Sequence, residues 1–287
     1  MDHEMALLMC NQALARPGRL IYDPFTGTGS ILLAASFWGA LTMGADIDTR
    51  VLRDSKLDAA GGRVTTWSNF DDAALQRPLA LLRADLAAPP FRRGLHSWAH
   101  ALVCDPPYGV RAGGRKSGRG PGEAPRAVPE EHRATHIPAT AFYPLAECMA
   151  DLLDAAARAL VLHGRLVYFF PAALSDDRPE ALPAHPCLEL LASSQQLLST
   201  KFGRRLITMR KAREWYPEAA AEAAAAAAVV AASVAAGTLP PAAPGPDGVP
   251  SKGRHLHEGP WSKALGAAAH PQDAPRPFVA RHRSKCV

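Results

Sequence analysis

The chain has 287 residues, 48% of them hydrophobic, so it can bury a sizeable core in one or two domains. Its formal charge of +5 is compatible with a polyanionic partner but does not establish one. The five cysteines are scattered without a CxxC pair, which excludes a disulfide framework and a zinc knuckle. We therefore predict no metal site.

The amino-terminal residues, MDHEMALLMCNQAL, carry two acids and no cationic region, so they do not indicate a secretory signal. The alanine-rich stretch at 219–236 is only weakly apolar and is interrupted by Glu222, which argues against a transmembrane helix. We expect a soluble, cytoplasmic protein in a reducing compartment, without a membrane partner.

Short apolar runs alternate with segments of helical period between about residues 20 and 211, which predicts an α/β fold with a mostly parallel sheet flanked by helices. The five predicted central strands, four of which end in aspartate, are 19–23, 40–46, 79–85, 99–105 and 165–170. Two later strands, 187–193 and 205–211, are expected to pair as a hairpin near the sheet edge. The predicted helices are 30–39, 49–60 and 143–164, the last ending at His163-Gly164.

Two segments break this alternation. Residues 112–138 are rich in Gly, Pro and Arg, which predicts a long mobile loop. Beyond residue 216 an alanine run leads into a Pro- and Gly-rich stretch that lacks the apolar groups for a packed core. We predict an ordered domain over 1–216 and a disordered, low-complexity tail over 217–287.

The segment YDPFTGTGS, residues 22–30, lies where the first strand should pass into a helix. Gly27 and Gly29 would let the backbone turn tightly and approach a nucleotide-like cofactor. A bare GxG also occurs in ordinary strand-to-helix turns of α/β domains, so both interpretations stay open. Position 32 is Leu32 instead of a third glycine, which disfavours a dinucleotide fold and a nicotinamide-dependent oxidoreductase.

Two further strand-end acids are candidate cofactor ligands. Asp46 falls about twenty residues after the glycine turn, where a carboxylate can accept hydrogen bonds from ribose hydroxyls. Its alternative role is a helix N-cap, which fits Asp48 or Thr49 better. Asp85 follows the third strand and is either a partner of an adenine amino group or a loop-capping residue.

The segment CDPPYGVR, residues 104–111, ends a strand on two prolines, which brace the backbone because proline locks φ and donates no hydrogen bond. The Asp105 carboxylate and the Pro106 carbonyl could then accept both N–H groups of an exocyclic nucleobase amine, and Tyr108 could stack on the base. Such acceptors would orient a weakly nucleophilic amine toward a methyl donor and favour the charge that grows on it. The alternative is a chance Pro-rich turn.

The order DPFTGTGS, GADID and DPPYG resembles the class I S-adenosylmethionine-dependent amino-methyltransferases. With MDHEMALLMCNQAL, FWGALTMGADID, GRLVYFFP, HPCLELLASSQQLLS and RRLITM, residues 1–216 resemble the catalytic subunits of the tRNA guanine-10 N2-methyltransferase family. That resemblance implies a Rossmann-like, seven-stranded, mostly parallel sheet and S-adenosyl-L-methionine as cofactor. It also implies two partners, tRNA and a small zinc-binding activator subunit.

The resemblance assigns roles to individual residues. Asp23, Phe25, Gly27 and Gly29 would line the methionine part of the cofactor. Asp46 would hold the ribose, Ile47 would lie against the adenine and Asp85 near its amino group. The catalytic residues would be Asp105, Pro106, Pro107 and Tyr108, holding a guanine that is flipped out of the tRNA.

Members of this family carry an RNA-binding THUMP region ahead of the catalytic domain, and MDHEM matches an internal stretch of the family. Two interpretations stay open: the sequence is a piece of a longer protein, or it is complete and tRNA capture comes from elsewhere. Candidate RNA-binding residues lie in the long loop and in the segment KFGRRLITMRKAR, residues 201–213, where they are equally compatible with a solvated basic surface. These candidates are Arg111, Arg115, Lys116, Arg204 and Arg205.

The predicted function is methylation of the exocyclic N2 of guanosine 10 in tRNA. One alternative is N-methylation of adenine or cytosine in DNA, or of another RNA. A second alternative is a cofactor-binding fragment without catalytic activity.

Overall fold

A computed structural model of the chain describes residues 1–48, 56–57, 63–92, 94–107, 114–118, 129–133, 139–173, 182–198 and 202–225. Its helices are α1 (His3–Gln12), α2 (Ser30–Phe37), α3 (Thr66–Asp72), α4 (Glu130–Arg133) and α5 (Leu145–Ala159). Its strands are β1 (Leu20–Asp23), β2 (Leu41–Asp46), β3 (Lys56–Leu57), β4 (Arg63–Val64), β5 (Ala80–Arg83), β6 (Ala99–Cys104), β7 (Arg115–Ser117), β8 (Thr140–Phe142), β9 (Leu160–Ala173), β10 (Leu188–Leu197) and β11 (Phe202–Lys211). None of the helices in these ranges has the length and apolar character needed to cross a bilayer.

Seven strands form one sheet in the order β10-β11-β9-β6-β1-β2-β5. The pairs within β9-β6-β1-β2-β5 are parallel, while β11 runs antiparallel to both β9 and β10. Parallel neighbours require long crossover connections, and this explains why helical segments separate the central strands in sequence. The predicted seven-stranded, mostly parallel sheet and its late hairpin are confirmed.

Successive side chains of a strand point to opposite faces of the sheet, and in the central strands both sets of side chains are buried. Leu102 of β6 and Tyr168 of β9 belong to the core that packs against α5. Val103 and Phe169, one residue further along each strand, belong to the core on the opposite face, with residues of α1 and α2. The sheet therefore has a hydrophobic layer on each side, which stiffens the edge where its parallel strands end.

The long helix α5 buries the apolar stripe predicted from the sequence, including Met149, Leu152, Leu153 and Ala156. It ends at Ala159, four residues before the predicted stop, because Leu160 already pairs with Ala99 of β6. The run LVL is wholly apolar and therefore fits a helix and a buried strand equally well. For this reason the helical periodicity of the sequence did not show where the helix ends and the strand begins. Within β9, His163 has a positive φ of 66°, near the irregularity in its pairing with β6.

Three of these helices, α1, α3 and α4, were not predicted from the sequence, and α4 lies in the predicted loop 112–138. The first, α1, has Asp2 as its N-cap, which accepts a hydrogen bond from the Glu4 backbone N–H at 2.9 Å. The second, α3, begins with a reciprocal capping box between Thr65 and Ser68, at 2.8 and 3.0 Å. A capping box satisfies two N–H groups of the first turn that have no intrahelical partner. In the sequence, Thr65 is a favoured N-cap residue, but Ser68 replaces the Glu or Gln of the usual capping-box pattern, so the signal for α3 is weak.

Other segments differ from the predicted elements. Residues 115–117, predicted to lie in a loop, form β7, which pairs with β8 in an antiparallel hairpin. Of the predicted helix 49–60, the structure describes only Lys56–Leu57, which pairs with Arg63–Val64 as a short strand. At the carboxyl-terminal end, residues 219–225 are helical and Ala219 is buried beside Cys187, so the described structure extends past residue 216.

Candidate functional site

Two clefts lie along the edge where the parallel strands β1, β2, β5 and β6 end. The first has a volume of about 180 Å³. It is lined by Met1, Asp23, Phe25, Thr26, Gly27, Thr28, Ser30, Ile31 and Asp105. The second has a volume of about 140 Å³ and is lined by Ile47, Arg83, Ala84, Asp85, Ala88, Pro90 and Ser117. In open α/β sheets this edge is the usual place of ligand sites.

Asp23, the last residue of β1, is fully buried at the first cleft. Its Oδ1 accepts a hydrogen bond from the Phe25 backbone N–H at 2.9 Å. Its Oδ2 is buried and has no hydrogen-bond partner among the described residues. Burial is the main reason that the pKa of this carboxyl lies well above its ordinary value, and the nearby acids Asp46 and Asp105 raise it further.

Asp46, the last residue of β2, ties the glycine turn to the neighbouring strand. Its Oδ2 accepts the Gly27 N–H at 2.8 Å, and its Oδ1 accepts the Asp48 N–H at 2.9 Å. Burial raises the pKa of Asp46, while these two backbone hydrogen bonds act in the opposite direction. Each carboxylate oxygen keeps a further acceptor position, so the group can still bind hydroxyls.

The glycine turn needs its glycines for two physical reasons. Gly27 and Gly29 have φ values of 50° and 83°, which side chains with a Cβ rarely adopt. A Cβ on Gly29 would also lie 2.6 Å from Cγ2 of Thr66, the first residue of α3. Gly29 is the residue that precedes α2, so the backbone can enter this helix directly beside the cleft.

The second cleft brings together Ile47, Asp85 and Ser117. The Asp85 carboxylate accepts the Ala87 N–H at 3.0 Å and the Ser117 N–H at 2.6 Å. Asp85 thus has the loop-capping role left open by the sequence, and it also lines a cleft. Ser117 belongs to β7, which the sequence did not predict, and no pattern in its Gly- and Arg-rich surroundings identified it as a site residue.

Asp105, which follows β6, lies in the same cleft as Asp23, Phe25 and Gly27. Pro106 and Pro107 follow β6 and belong to no strand, and Tyr108 lies outside the described residues. The guanidinium of Arg204 approaches Asp105 from β11, with 3.8 Å between Nη1 and Oδ2. Asp23 and Asp105 are 82 positions apart in sequence, yet they line the same cleft. Residues that follow β2 and β5 line the second cleft, so four strand ends contribute to the two clefts.

The predicted RNA-binding residues lie in two places. Arg115 is exposed on the β7–β8 hairpin, where its Nη2 donates to the Thr140 carbonyl at 2.8 Å. Lys116 forms an ion pair with Glu147 and lies over the ring of Tyr143. Arg204 and Arg205 lie on β11 and are only partly exposed, and Arg111 is outside the described residues.

Together, the order of this sheet, the glycine turn after β1 and the acids at the ends of β1, β2 and β6 define the class I methyltransferase fold. Residues 1–119 match the family model described as "UPF0020: RMKL-like, methyltransferase domain". The sheet topology confirms the predicted fold class, and the matched segment contains the glycine turn, Asp46 and Asp105. The match also indicates S-adenosyl-L-methionine as the cofactor.

The particular relatives of the chain are tRNA methyltransferases. It is 41% identical to tRNA (guanine(10)-N(2))-methyltransferase TRMT11 of Dictyostelium discoideum, over 75% of this chain and 41% of that protein. It is 38% identical to tRNA (guanine(10)-N(2))-methyltransferase of Schizosaccharomyces pombe, over 73% of this chain and 43% of that protein. The chain therefore spans less than half the length of these relatives. Among solved structures, TrmN from Thermus thermophilus aligns with a TM-score of 0.48 and 20% identity, over 74% of this chain and 49% of that one.

The described residues fit S-adenosylmethionine. The buried Asp23 Oδ2 has no donor among them, and the cofactor's ammonium group would supply one. Asp46 has acceptor positions that hydroxyls such as those of a ribose would fill, and Ile47 gives the second cleft an apolar wall. Asp46 lies close to both clefts, because Gly27, whose N–H it accepts, lines the first and Ile47, which follows it in sequence, lines the second.

Proposed function

We propose that the chain contains the catalytic domain of an S-adenosylmethionine-dependent enzyme that methylates N2 of guanosine 10 in tRNA. One observation carries the proposal: Asp105 of the DPPY segment shares a cleft with Asp23, Phe25 and Gly27 of the cofactor motif. The tRNA (guanine(10)-N(2))-methyltransferases that resemble this chain support the choice of substrate. We place the catalytic domain at residues 1–216, followed by a low-complexity tail.

In this mechanism the protein binds and orients two reactants. S-adenosylmethionine supplies an electrophilic methyl group on a sulfonium. Asp23, Phe25, Gly27 and Gly29 would line its methionine end, while the hydroxyls of its ribose would donate to Asp46. Ile47 and Asp85 would border the adenine.

The target amine is a poor nucleophile because its lone pair is delocalised into the purine ring. The Asp105 carboxylate and the Pro106 carbonyl would accept its two N–H groups and so hold the nitrogen toward the methyl donor. A carboxylate at this position also favours the positive charge that develops on the nitrogen during attack. Proline at 106 and 107 keeps this corner of the chain stiff, which reduces the cost of reaching the reactive geometry.

The guanine has to leave its stack to enter the cleft, and Tyr108 would then stack on it. Exposed Arg115 would contact phosphate, and Arg111, Lys116 and Arg205 would complete the proposed RNA surface. By family resemblance, a small zinc-binding activator subunit would be a further partner. A cytoplasmic location accords with this proposed role in tRNA processing.

Methyl transfer to a defined nucleoside tests the proposed function. The chain is incubated with radiolabelled S-adenosylmethionine and a tRNA transcript, alone and with the activator subunit, and the product is digested to nucleosides. We expect N2-methylguanosine, and none from a transcript with adenosine at position 10. Radiolabelled methyladenine or methylcytosine from DNA or another RNA would show that the proposed substrate is wrong. Cofactor binding without transfer under every condition would indicate an inactive fragment.

The role of Asp105 is tested separately. Asp105→Ala should abolish methyl transfer, because the amine loses its acceptor, while affinity for S-adenosylmethionine should largely survive. Asp71→Ala, at an exposed acid on α3, serves as the control for loss of a carboxylate. Full activity of Asp105→Ala would contradict the mechanism.

A further inference from the structure

Arg204 was expected to bind RNA, but its surroundings differ from those of a phosphate-binding residue. Only 12% of its side chain is exposed. Its Nε donates to Oε1 of Gln196 at 2.7 Å, across the β10–β11 pair in which these two residues lie directly opposite each other. The centre of its guanidinium lies 3.7 Å from the centroid of the Phe169 ring on β9. Two neighbouring strands therefore hold the plane of the guanidinium in one orientation.

The third contact of this guanidinium is Asp105. Nη1 of Arg204 lies 3.8 Å from Asp105 Oδ2, close enough for an ion pair. Guanidinium is the side-chain cation best suited to this arrangement, because it can donate, stack on an aromatic face and pair with a carboxylate at the same time.

Asp105 lies near another acid, so a neighbouring cation favours its ionised form. Asp23 at the end of β1 is near enough for each carboxylate to influence the other, and Asp46 of β2 lies beyond it. Among the described residues, the buried Cys104 thiol is another titratable neighbour, and burial is the main reason that its pKa is raised, so it stays neutral. Like charges at close range disfavour ionisation, whereas the ionised carboxylate is the stronger acceptor for the N–H groups of an amine.

We propose that Arg204 is a positioning residue, which holds the Asp105 carboxylate ionised and correctly oriented toward the exocyclic amine, and that it is not an RNA-phosphate ligand. The expected effect of Arg204 on the rate of methyl transfer rests on the proposed function. Its expected effect on the ionisation of Asp105 does not. Gln196 and Phe169 serve the same purpose indirectly, because they fix the guanidinium.

The first test separates catalysis from binding in the full chain. Arg204→Met should lower the single-turnover rate of methyl transfer about 10- to 100-fold at saturating tRNA and S-adenosylmethionine, as misplacement of a reacting group does. Dissociation constants for both ligands, and the salt dependence of tRNA binding, should equal those of the wild type. Arg204→Lys retains the charge and should recover part of the rate. Arg77→Gln, which removes an exposed arginine paired with Asp71, should match the wild type throughout.

The second test does not require activity. The aspartate carboxyl groups are labelled with ¹³C, and the Asp105 resonance is assigned with Asp105→Asn. Arg204→Met should raise the pKa of Asp105, since the stabilising cation is gone, and Arg204→Lys should restore it in part. A pKa unchanged by Arg204→Met would overturn the proposal even if the wild type proves inactive. Weaker tRNA binding with a shallower salt dependence and an unchanged single-turnover rate would return Arg204 to the RNA surface.

Discussion

The backbone N–H of Gly27 donates to Asp46 Oδ2 at 2.8 Å and so joins the glycine turn after β1 to the end of β2. The two residues are 19 positions apart in sequence. The same carboxylate accepts the N–H of Asp48, so its orientation is set from both sides. Because Gly27 and Ile47, the residue after Asp46, line different clefts, this carboxylate stands at the junction between them.

Removing that carboxylate should weaken cofactor binding. In Asp46→Ala, the turn loses its tie to β2 and the ribose hydroxyls lose their proposed acceptor. Because hydrogen bonds to charged groups contribute about 1.5–3 kcal/mol, the affinity for S-adenosylmethionine should fall roughly 10- to 100-fold. Isothermal titration calorimetry measures the change, with Asp71→Ala as a control. Unchanged affinity would remove Asp46 from the proposed cofactor site.

Steric crowding beside Gly29 predicts a specific loss of stability. Gly29→Ala combines an unfavourable φ with a contact of 2.6 Å to Thr66 Cγ2, and should reduce the free energy of unfolding by roughly 1–3 kcal/mol. Gly18 has a similar φ of 79° and no atom within 4 Å of an added Cβ, so Gly18→Ala measures the backbone contribution alone.

The matched rescue uses Thr66→Ser, which removes the obstructing methyl group. In denaturant unfolding, Gly29→Ala combined with Thr66→Ser should be more stable than the sum of the single changes predicts. Strict additivity of the two changes would mean that the contact contributes nothing to the cost.

Asp23 should make stability depend on pH in a predictable direction. Because its folded-state pKa is raised, the folded protein retains this proton at pH values where the unfolded chain has lost it. The stability that this retained proton contributes is fully present below the pKa of Asp23 in the unfolded chain. It is lost as pH rises through the pKa of Asp23 in the folded protein. Asp23→Asn should therefore gain more stability over the wild type at pH 7 than at about pH 4.

Denaturant unfolding of both proteins at the two pH values measures this difference. The Asn side chain retains an oxygen for the Phe25 N–H, so the turn should stay folded. The same variant should bind S-adenosylmethionine more weakly, because it lacks the negative charge proposed to face the ammonium group. A gain in stability that is larger at acid pH would contradict the assigned direction of the pKa shift.

Arg115 should contribute to RNA binding, and the salt dependence of tRNA affinity should show this contribution. Its guanidinium is exposed and lies on the hairpin that contacts the second cleft through Ser117. Arg115→Gln should weaken tRNA binding and reduce the slope of log affinity against log salt concentration by about 1. Filter binding over a salt series provides the measurement. An unaltered slope would indicate that Arg115 is merely a solvated side chain.

The sequence by itself determined the sheet and most of the candidate site. Apolar runs that end in aspartate located β1, β2, β5 and β6, and parallel topology then placed Asp23, Asp46, Asp85 and Asp105 at one edge. These predictions succeeded because they depend on local periodicity and on the rule that parallel strands share a carboxyl edge. The motif resemblance reached the same fold by a different route.

Only the tertiary structure decided which partners each side chain has. Arg204 and Arg205 are adjacent in sequence and equally basic, yet β10 and β9 direct Arg204 to Gln196, Phe169 and Asp105. Likewise, the end of α5 at Ala159 depends on the pairing of Leu160 with β6, because its apolar residues suit helix and strand alike. Such outcomes depend on contacts between residues distant in the chain, and local composition carries no information about them.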